Sequence, residues 1–302
     1  MKVYNSITDF PSGINTVITI GTFDGVHEGH IEVIKRLNSI AYIEGCESVL
    51  LTFNPHPRYV LHADDQKLRL LNTITEKTDQ LKKTGLQHFI IHNFTKEFSR
   101  MKSVNFIRDL LVDKLMMKHM VVGHDHHFGR NREGSYSDLG ELSELYSFKL
   151  EQIPPKSHNN LTISSTKIRK LLLDGDVDVA ASNLGYFYYL IGTVVSGKEL
   201  GRTIGFPTAN ISVIDKYKLI PCDGVYAVKV SLEKEYFGML NIGTINQTIE
   251  VYIFDFFADI YDFDIKVEFI KRIREEKQFD NLALLKEQLK LDESSCRRIF
   301  NI

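Results

Sequence analysis

Val17-Ile18-Thr19-Ile20, followed at once by Gly21-Thr22-Phe23-Asp24-Gly25-Val26-His27-Glu28-Gly29-His30, joins a short apolar run to a glycine-punctuated loop that carries two histidines. The first four residues have the β-branched composition of a buried strand, and Ile31, Ile34, Leu37 and Ile40 then recur at helical spacing. A strand, a glycine loop and a helix N-terminus in that order aim unpaired backbone N–H groups and the positive end of the helix dipole at one point, where a phosphate binds well. His27 and His30 flank that point and, as donors, suit the stabilisation of charge on a phosphate under attack. The competing reading is a tight turn whose glycines serve positive φ and whose histidines lie on the surface. Three glycines and two histidines within ten residues after a strand are dense for a mere turn.

Working outward, short apolar runs at 17–20, 48–53, 88–92 and 119–122 alternate with stretches such as 103–118 whose apolar residues follow helical spacing. That alternation predicts βαβ units and a parallel sheet, with ligands at the carboxyl ends of the strands. Asn54-Pro55-His56-Pro57 and Gly123-His124-Asp125-His126-His127-Phe128-Gly129 also follow strands, so they can share the crevice of the first loop. Near Asn183 the texture changes to short strands at 188–195, 225–230, 237–242, 248–254 and 265–270, the pattern of a compact antiparallel barrel. A closing helix is predicted with Asp280 as its N-cap and Leu282, Leu285 and Leu289 as its apolar stripe. The domain boundary is placed near residue 184.

A length of 302 residues supports two domains, and 43% hydrophobic with 25% charged residues is ordinary for a globular protein. Lys and Arg total 37 against 39 Asp and Glu, which gives no field to draw in nucleic acid or an anionic membrane. Lys271-Arg272-Ile273-Arg274 runs straight into Glu275-Glu276, a mixed-charge face without interleaved aromatics. Met1 to Ser6 has no apolar core of a signal peptide, and no stretch approaches the length of a membrane span. Cys46, Cys222 and Cys296 are isolated and odd in number, which fits a reducing compartment, so a cytoplasmic location is expected.

Gly21-x-Phe23-Asp24-Gly25-x-His27-x-Gly29-His30 resembles the GxFDGxHxGH signature of the nucleotidyltransferase superfamily. With 51–57 (Leu-Thr-Phe-Asn-Pro-His-Pro), 163–169 (Ile-Ser-Ser-Thr-Lys-Ile-Arg) and 201–210 (Gly-Arg-Thr-Ile-Gly-Phe-Pro-Thr-Ala-Asn) in this order, the chain resembles the prokaryotic bifunctional FAD synthetases of the riboflavin kinase/FMN adenylyltransferase type. The likeness implies an α/β protein with a Rossmann-like parallel-sheet nucleotidyltransferase domain over 1–184. A small antiparallel riboflavin kinase-like β-barrel with a terminal helix would follow over 185–302. It implies transfer of AMP from ATP to FMN, giving FAD and pyrophosphate, with riboflavin, ATP and Mg2+ serving a kinase step.

By that likeness, His27, His30 and Arg169 act on the ATP phosphates, and Gly21, Phe23, Asp24, Gly25, Ser164, Ser165 and Thr166 help to bind the nucleotide. Hydroxyls at a helix start with an arginine one turn in make a competent pyrophosphate clamp, although an ordinary helix cap would also explain the Ser-Ser-Thr run. Asn54, Pro55 and His56 match a proline-stiffened loop beside the flavin, for which a rigid structural turn is the alternative. Gly123 and Asp125 match a nucleotide-side loop. A zinc site in the histidine-rich 124–127 stretch is disfavoured, since adjacent residues of an extended loop cannot all reach one ion.

Gly192-Thr193-Val194-Val195-Ser196-Gly197-Lys198 fits most of a P-loop, but Glu199 stands where a Ser or Thr must hold Mg2+ and the segment lies in a barrel-like strand. Through the family instead, Gly205 and Pro207 contact nucleotide, Thr208 and Asn210 approach Mg2+, and Glu250 is the base for the ribityl hydroxyl. Two departures stand out. Gly243-Thr244-Ile245-Asn246-Gln247-Thr248 replaces an Arg-Pro-Thr element and a longer loop, and Leu184-Gly185-Tyr186-Phe187-Tyr188 stands where Leu-Gly-Arg-Pro-Tyr is usual. A shortened substrate loop weakens positioning, so the kinase step is expected to be the poorer one. The other functional classes are a nucleotidyltransferase with a different phosphate acceptor and a non-catalytic flavin or nucleotide-binding regulator.

Overall fold

The computed structural model describes residues 1–62, 67–124, 136–158, 161–197, 200–244 and 248–302. It divides into two compact units, Met1–Ser165 and Thr166–Ile302.

The first unit is built on β1 (Lys2–Tyr4), β2 (Thr16–Ile20), β3 (Glu47–Asn54), β4 (His88–Asn93), β5 (Met117–Gly123) and β6 (Lys149–Ile153). They form one sheet in the order β1-β4-β3-β2-β5-β6, and every pair is parallel. All five residues of β2 are buried, as the unbroken apolar run predicts for a strand covered on both faces. Alternate residues serve opposite cores: Ile18, Ile20, Val49 and Leu51 join Phe106, Ile107 and Leu111, while Val17 and Leu50 join Ile34, Leu37 and Phe89.

Helix α1 (Glu28–Glu44) supplies Ile34, Leu37 and Ile40 to the second core, the stripe read from its spacing. Then come α2 (Pro57–Leu61), α3 (Ile74–Lys82), a short α4 (Ser103–Asn105) that continues as π-helical Phe106–Lys114, α5 (Tyr136–Tyr146) and a small β7–β8 ribbon (Ser157–His158 and Leu161–Thr162). The predicted 103–118 helix thus stops at Lys114, because Met117 already belongs to β5. Strands β1 and β6 have no counterpart in the sequence reading; both lie at sheet edges and are too short or too polar to show a pattern. Strand order reverses between β2 and β5, and a crevice outside the carboxyl ends of two such strands is where open α/β sheets bind ligands.

Helices α6 (Ser165–Asp174) and α7 (Val177–Leu184) precede a closed barrel of β9 (Tyr189–Val195), β10 (Ala209–Ser212), β11 (Gly224–Ser231), β12 (Glu235–Ile242), β13 (Ile249–Ile253) and β14 (Asp264–Arg274). A short α8 (Leu200–Thr203) lies between β9 and β10, and every barrel pairing is antiparallel. Tyr226, Val228, Leu240, Val251 and Phe269, all fully buried on one alternation, fill the interior. Strand β10 was not anticipated, since four residues containing Ala and Asn carry little strand propensity; only pairing with β9 and β13 makes it one.

The terminal helix α9 (Leu282–Phe300) is capped by Asn281, whose side chain accepts the Leu284 N–H, and not by Asp280. Leu285 and Leu289 pack with Met239, Phe254 and Cys296, whereas Leu282, expected in that stripe, is exposed in the first turn. The helix is pinned to the barrel by Arg274, whose guanidinium donates to the Asp292 carboxylate at 2.7 to 3.1 Å, and Gln288 donates to the same group at 2.9 Å. Asp292 is almost wholly buried, so removing it would leave the arginine desolvated and unpaired. Asp292→Ala is expected to cost about 3 kcal/mol of stability, measured as a shift in the urea unfolding midpoint.

Candidate active site

The sequence Phe23-Asp24-Gly25-Val26 folds into a loop in which Phe23, Gly25 and Val26 all have positive φ, at 44°, 89° and 37°. For the two non-glycine residues this left-handed geometry is strained by about 1 to 3 kcal/mol each, and such strain persists only where the surroundings over-determine the backbone. Three tethers do so here. The Asp24 carboxylate accepts the Leu71 N–H at 3.0 Å and the Asn72 N–H at 3.1 Å. The Lys77 ammonium, from α3, donates to the Thr22 carbonyl at 2.6 Å. The Ser165 hydroxyl donates to the Asp24 carbonyl at 2.8 Å, so the first residue of α6 is brought to the first motif.

His27 is the N-cap of α1, and its Nδ1 accepts the His30 backbone N–H at 3.3 Å. That bond assigns the proton of the neutral ring to Nε2, leaving a side-chain donor at the helix start. The His27 and His30 rings stack at 3.6 Å with 13° between their planes, and Phe23 lies 4.6 Å beyond His30. Gly29 is dictated by this stack, because a Cβ there would sit 3.2 Å from His27 Cε1 and 3.3 Å from its Nδ1. Gly21 likewise leaves room for the Phe23 ring. His30 Nδ1 is enclosed and has no hydrogen-bond partner among the described residues. Burial first, then the neighbouring His27 and Lys77, hold the His30 ring well below its ordinary value of 6.5.

The other expected nucleotide and flavin residues are placed as follows. Asn54 ends β3 beside Asn93, and a cis bond joins it to Pro55. His56 caps α2, its Nδ1 accepting the Arg58 N–H at 3.1 Å. Gly123 ends β5, on the other side of the switch point from the Gly21 loop. Asp125 lies outside the described residues. Ser164 directly precedes α6, and Thr166 and the half-buried Arg169 lie on that helix in the second compact unit.

Lys77 was not found by sequence reasoning. Its segment, Thr73-Ile74-Thr75-Glu76-Lys77, carries only the signal of a capping box, which the structure shows in full between Thr73 and Glu76. Lys77 is 6% exposed, and burial lowers its pKa against the pull of Asp24.

In the barrel, Asn210 of β10 is paired with Glu250 of β13, and Glu250 with Asn241 of β12. Cross-strand partners share a face with Cβ atoms about 5 Å apart, so three polar side chains form one row. Tyr252 and Met239, on the same alternation, pack toward α9, which places the row on the outer face of the barrel. Asn241 was missed because only the register discloses it. Gly201 lies under the turn to Phe206, where the Phe206 N–H donates to its carbonyl at 2.8 Å; a Cβ on Gly201 would meet the Phe206 oxygen at 2.2 Å and Thr208 Oγ1 at 3.5 Å. A Cβ on Gly197 would fall 2.0 Å from Asn210 Nδ2. Gly205 (φ 89°) and Pro207 are exposed on that turn. Residues 192–195 of the P-loop-like stretch lie in β9, which pairs antiparallel on both sides, and Lys198 lies outside the described residues. The 243–248 connection is closed by the Gly243 N–H on the Thr248 carbonyl at 2.9 Å, and the Thr244 N–H donates to Glu276 at 2.9 Å.

A family model described as FAD synthetase matches residues 11–167, and one described as riboflavin kinase matches 184–300. A bifunctional riboflavin kinase/FMN adenylyltransferase of Listeria monocytogenes is 37% identical over 301 residues, covering 97% of this chain and 95% of the relative. The chain belongs to this bifunctional family. The Escherichia coli (strain K12) enzyme of the same name is also 37% identical, over 95% of this chain and 93% of its own. A crystal structure described as a macrolide-efflux protein from Streptococcus pneumoniae, 32% identical, matches over 98% of both chains with a TM-score of 0.89. Among the described residues no helix is long and apolar enough to cross a membrane, and no group of three or more His, Cys, Asp or Glu could hold a metal ion.

Two consequences of the histidine stack are measurable. Gly29→Ala adds helix propensity of about 1 kcal/mol but presses on the His27 ring; thermal stability is expected to hold or rise while ATP affinity, read by calorimetric titration, falls. His30 stays neutral in the folded chain where the unfolded chain takes up a proton, so its contribution to stability is present above pH 6.5 and lost as pH falls below it. His30→Gln is expected to flatten the decline of urea midpoints below that pH, with the half-buried His92, lowered by partial burial, leaving a residual slope.

Proposed function

We propose that this chain makes FAD by attack of the FMN phosphate on the α-phosphorus of ATP, at the Gly21–His30 loop and the start of α6. The new phosphorus–oxygen bond forms as the bond to the β-phosphate breaks, and pyrophosphate leaves with the electron pair. The attacking phosphate is already an anion, so positioning and charge neutralisation are what the site must supply. His27 Nε2–H and His30 are assigned to the phosphates, the backbone N–H groups at the start of α1 to the same charge, and Ser164, Ser165, Thr166 and Arg169 to the pyrophosphate. Asn54, Pro55, His56 and Gly123 are assigned to the flavin and nucleotide sides of the crevice. The observation that carries this reading is the stacked His27–His30 pair at the N-terminus of α1, on a strained and triply tethered loop.

We assign residues 1–184 to this reaction and 185–302 to phosphorylation of the riboflavin ribityl hydroxyl, in a cytoplasmic setting consistent with the free thiols of Cys46, Cys222 and Cys296. Thr208 and Asn210 present a hydroxyl and a carboxamide oxygen, donors that suit Mg2+, above glycines whose side chains would fill the space. When bound there, Mg2+ would neutralise phosphate charge. Glu250, beside Asn210, would take the hydroxyl proton. The Gly243–Thr248 connection is shorter in sequence than the loop usual in the family, so the kinase step is assigned the lower rate.

The experiment supplies FMN or riboflavin with Mg-ATP and resolves the flavin products. FMN is expected to give FAD readily, His27→Ala or His30→Ala to slow this roughly a hundredfold, and riboflavin to give FMN slowly. Comparable rates for the two steps, with the FMN step abolished by Glu250→Gln, would refute the assignment of a handicap to the short loop. Wild-type FAD formation in both histidine variants would refute the adenylyl-transfer site.

A further inference from the structure

A buried ammonium is an expensive way to hold a helix against a loop. Lys77 is 6% exposed, its Nζ makes one hydrogen bond among the described residues, to the Thr22 carbonyl at 2.6 Å, and its other donors find no acceptor there. An apolar side chain of similar length would fill the same volume without that desolvation. Nor does α3 need it: the helix is already capped by Thr73 and Glu76, and the segment before it is held by Asp24 through the Leu71 and Asn72 N–H groups. Asp24, in turn, keeps those backbone donors if the lysine is removed. What Lys77 alone does is grip the loop one residue before the strained Phe23, whose ring lies against His30.

We propose that Lys77 is a positioning residue for adenylyl transfer: it clamps the Gly21–Val26 loop through the Thr22 carbonyl and brings an ammonium to the loop that carries Phe23 against His30. The proposal rests on the assignment of adenylyl transfer to the His27–His30 site. It gives the clamp two effects. The carbonyl bond fixes the backbone that carries Phe23 and hence the ring stack. Burial first, then His27 from its own helix start, disfavour a proton on His30, and the Lys77 ammonium from α3 adds to them, while Asp24 from the loop acts on Lys77. A neutral His30 keeps the close ring stack with His27, which two imidazolium rings at 3.6 Å would not tolerate.

The test compares Lys77→Met, Lys77→Gln and Lys77→Arg in the full chain. Ring signals of isotopically labelled histidine are followed against pH without ligand, and FAD formation from FMN and Mg-ATP and the thermal midpoint are measured alongside. In the methionine and glutamine variants the His30 titration should move up by roughly half a pH unit or more, and FAD formation should fall at least about tenfold. The thermal midpoint should stay near that of the wild type. Lys77→Arg keeps the charge and should keep the His30 titration in place. Lys77→Gln can still donate to Thr22, so it reports on charge if the methionine variant does not fold. An unmoved His30 titration in the neutral variants, or their retention of the wild-type rate, overturns the proposal. If the wild type itself forms no FAD, the adenylyl-transfer reading fails, and the His30 titration still decides whether Lys77 acts on that ring.

Discussion

The imidazole of His27 closes the N-terminus of α1, and the rest of the first site is arranged around that single bond. By accepting the His30 N–H it spends one nitrogen on the helix and leaves the other as a donor. It also fixes the direction in which the first turn presents its remaining N–H groups, where negative charge is most stabilised. A histidine cap is less common than Ser or Asp, and Gly29 makes room for it, since a Cβ there would press on the ring at 3.2 Å. The motif is therefore one steric and electrostatic unit, in which each glycine and histidine constrains the next.

Such a loop cannot support itself. Left-handed geometry at Phe23 and Val26 is unfavourable for residues with a Cβ, most of all for a β-branched one. Contacts from distant parts of the chain hold it: the backbone at Leu71 and Asn72, the Lys77 ammonium and the Ser165 hydroxyl. The parallel sheet supplies the frame, since the order β1-β4-β3-β2-β5-β6 puts the loop after β2 beside the end of β5.

The barrel solves a related problem with different chemistry. Its polar row depends on strand register, which sets Asn210, Glu250 and Asn241 side by side. The outer face carrying that row continues into the patch covered by α9, and the Arg274–Asp292 pair holds that helix down. Stability of the helix and geometry of the row thus share one surface.

Much of this was legible in the sequence. Unbroken β-branched runs such as Val17 to Ile20 announce doubly covered strands, the 3.6-residue stripe of Ile34, Leu37 and Ile40 announces the core face of α1, and Gly21 to His30 announces a glycine loop that opens a helix after a strand. These features are local, because strand, loop and helix start follow one another along the chain. Strand β10, the Asn281 cap, the tie of Ser165 to Asp24, the row partner Asn241 and the buried Lys77 were decided only by tertiary structure. Each depends on a partner far away in sequence, or on a choice between near-equivalent neighbours such as Asp280 and Asn281. A one-dimensional pattern records what a residue prefers, whereas pairing, burial and register record what the folded chain places against it.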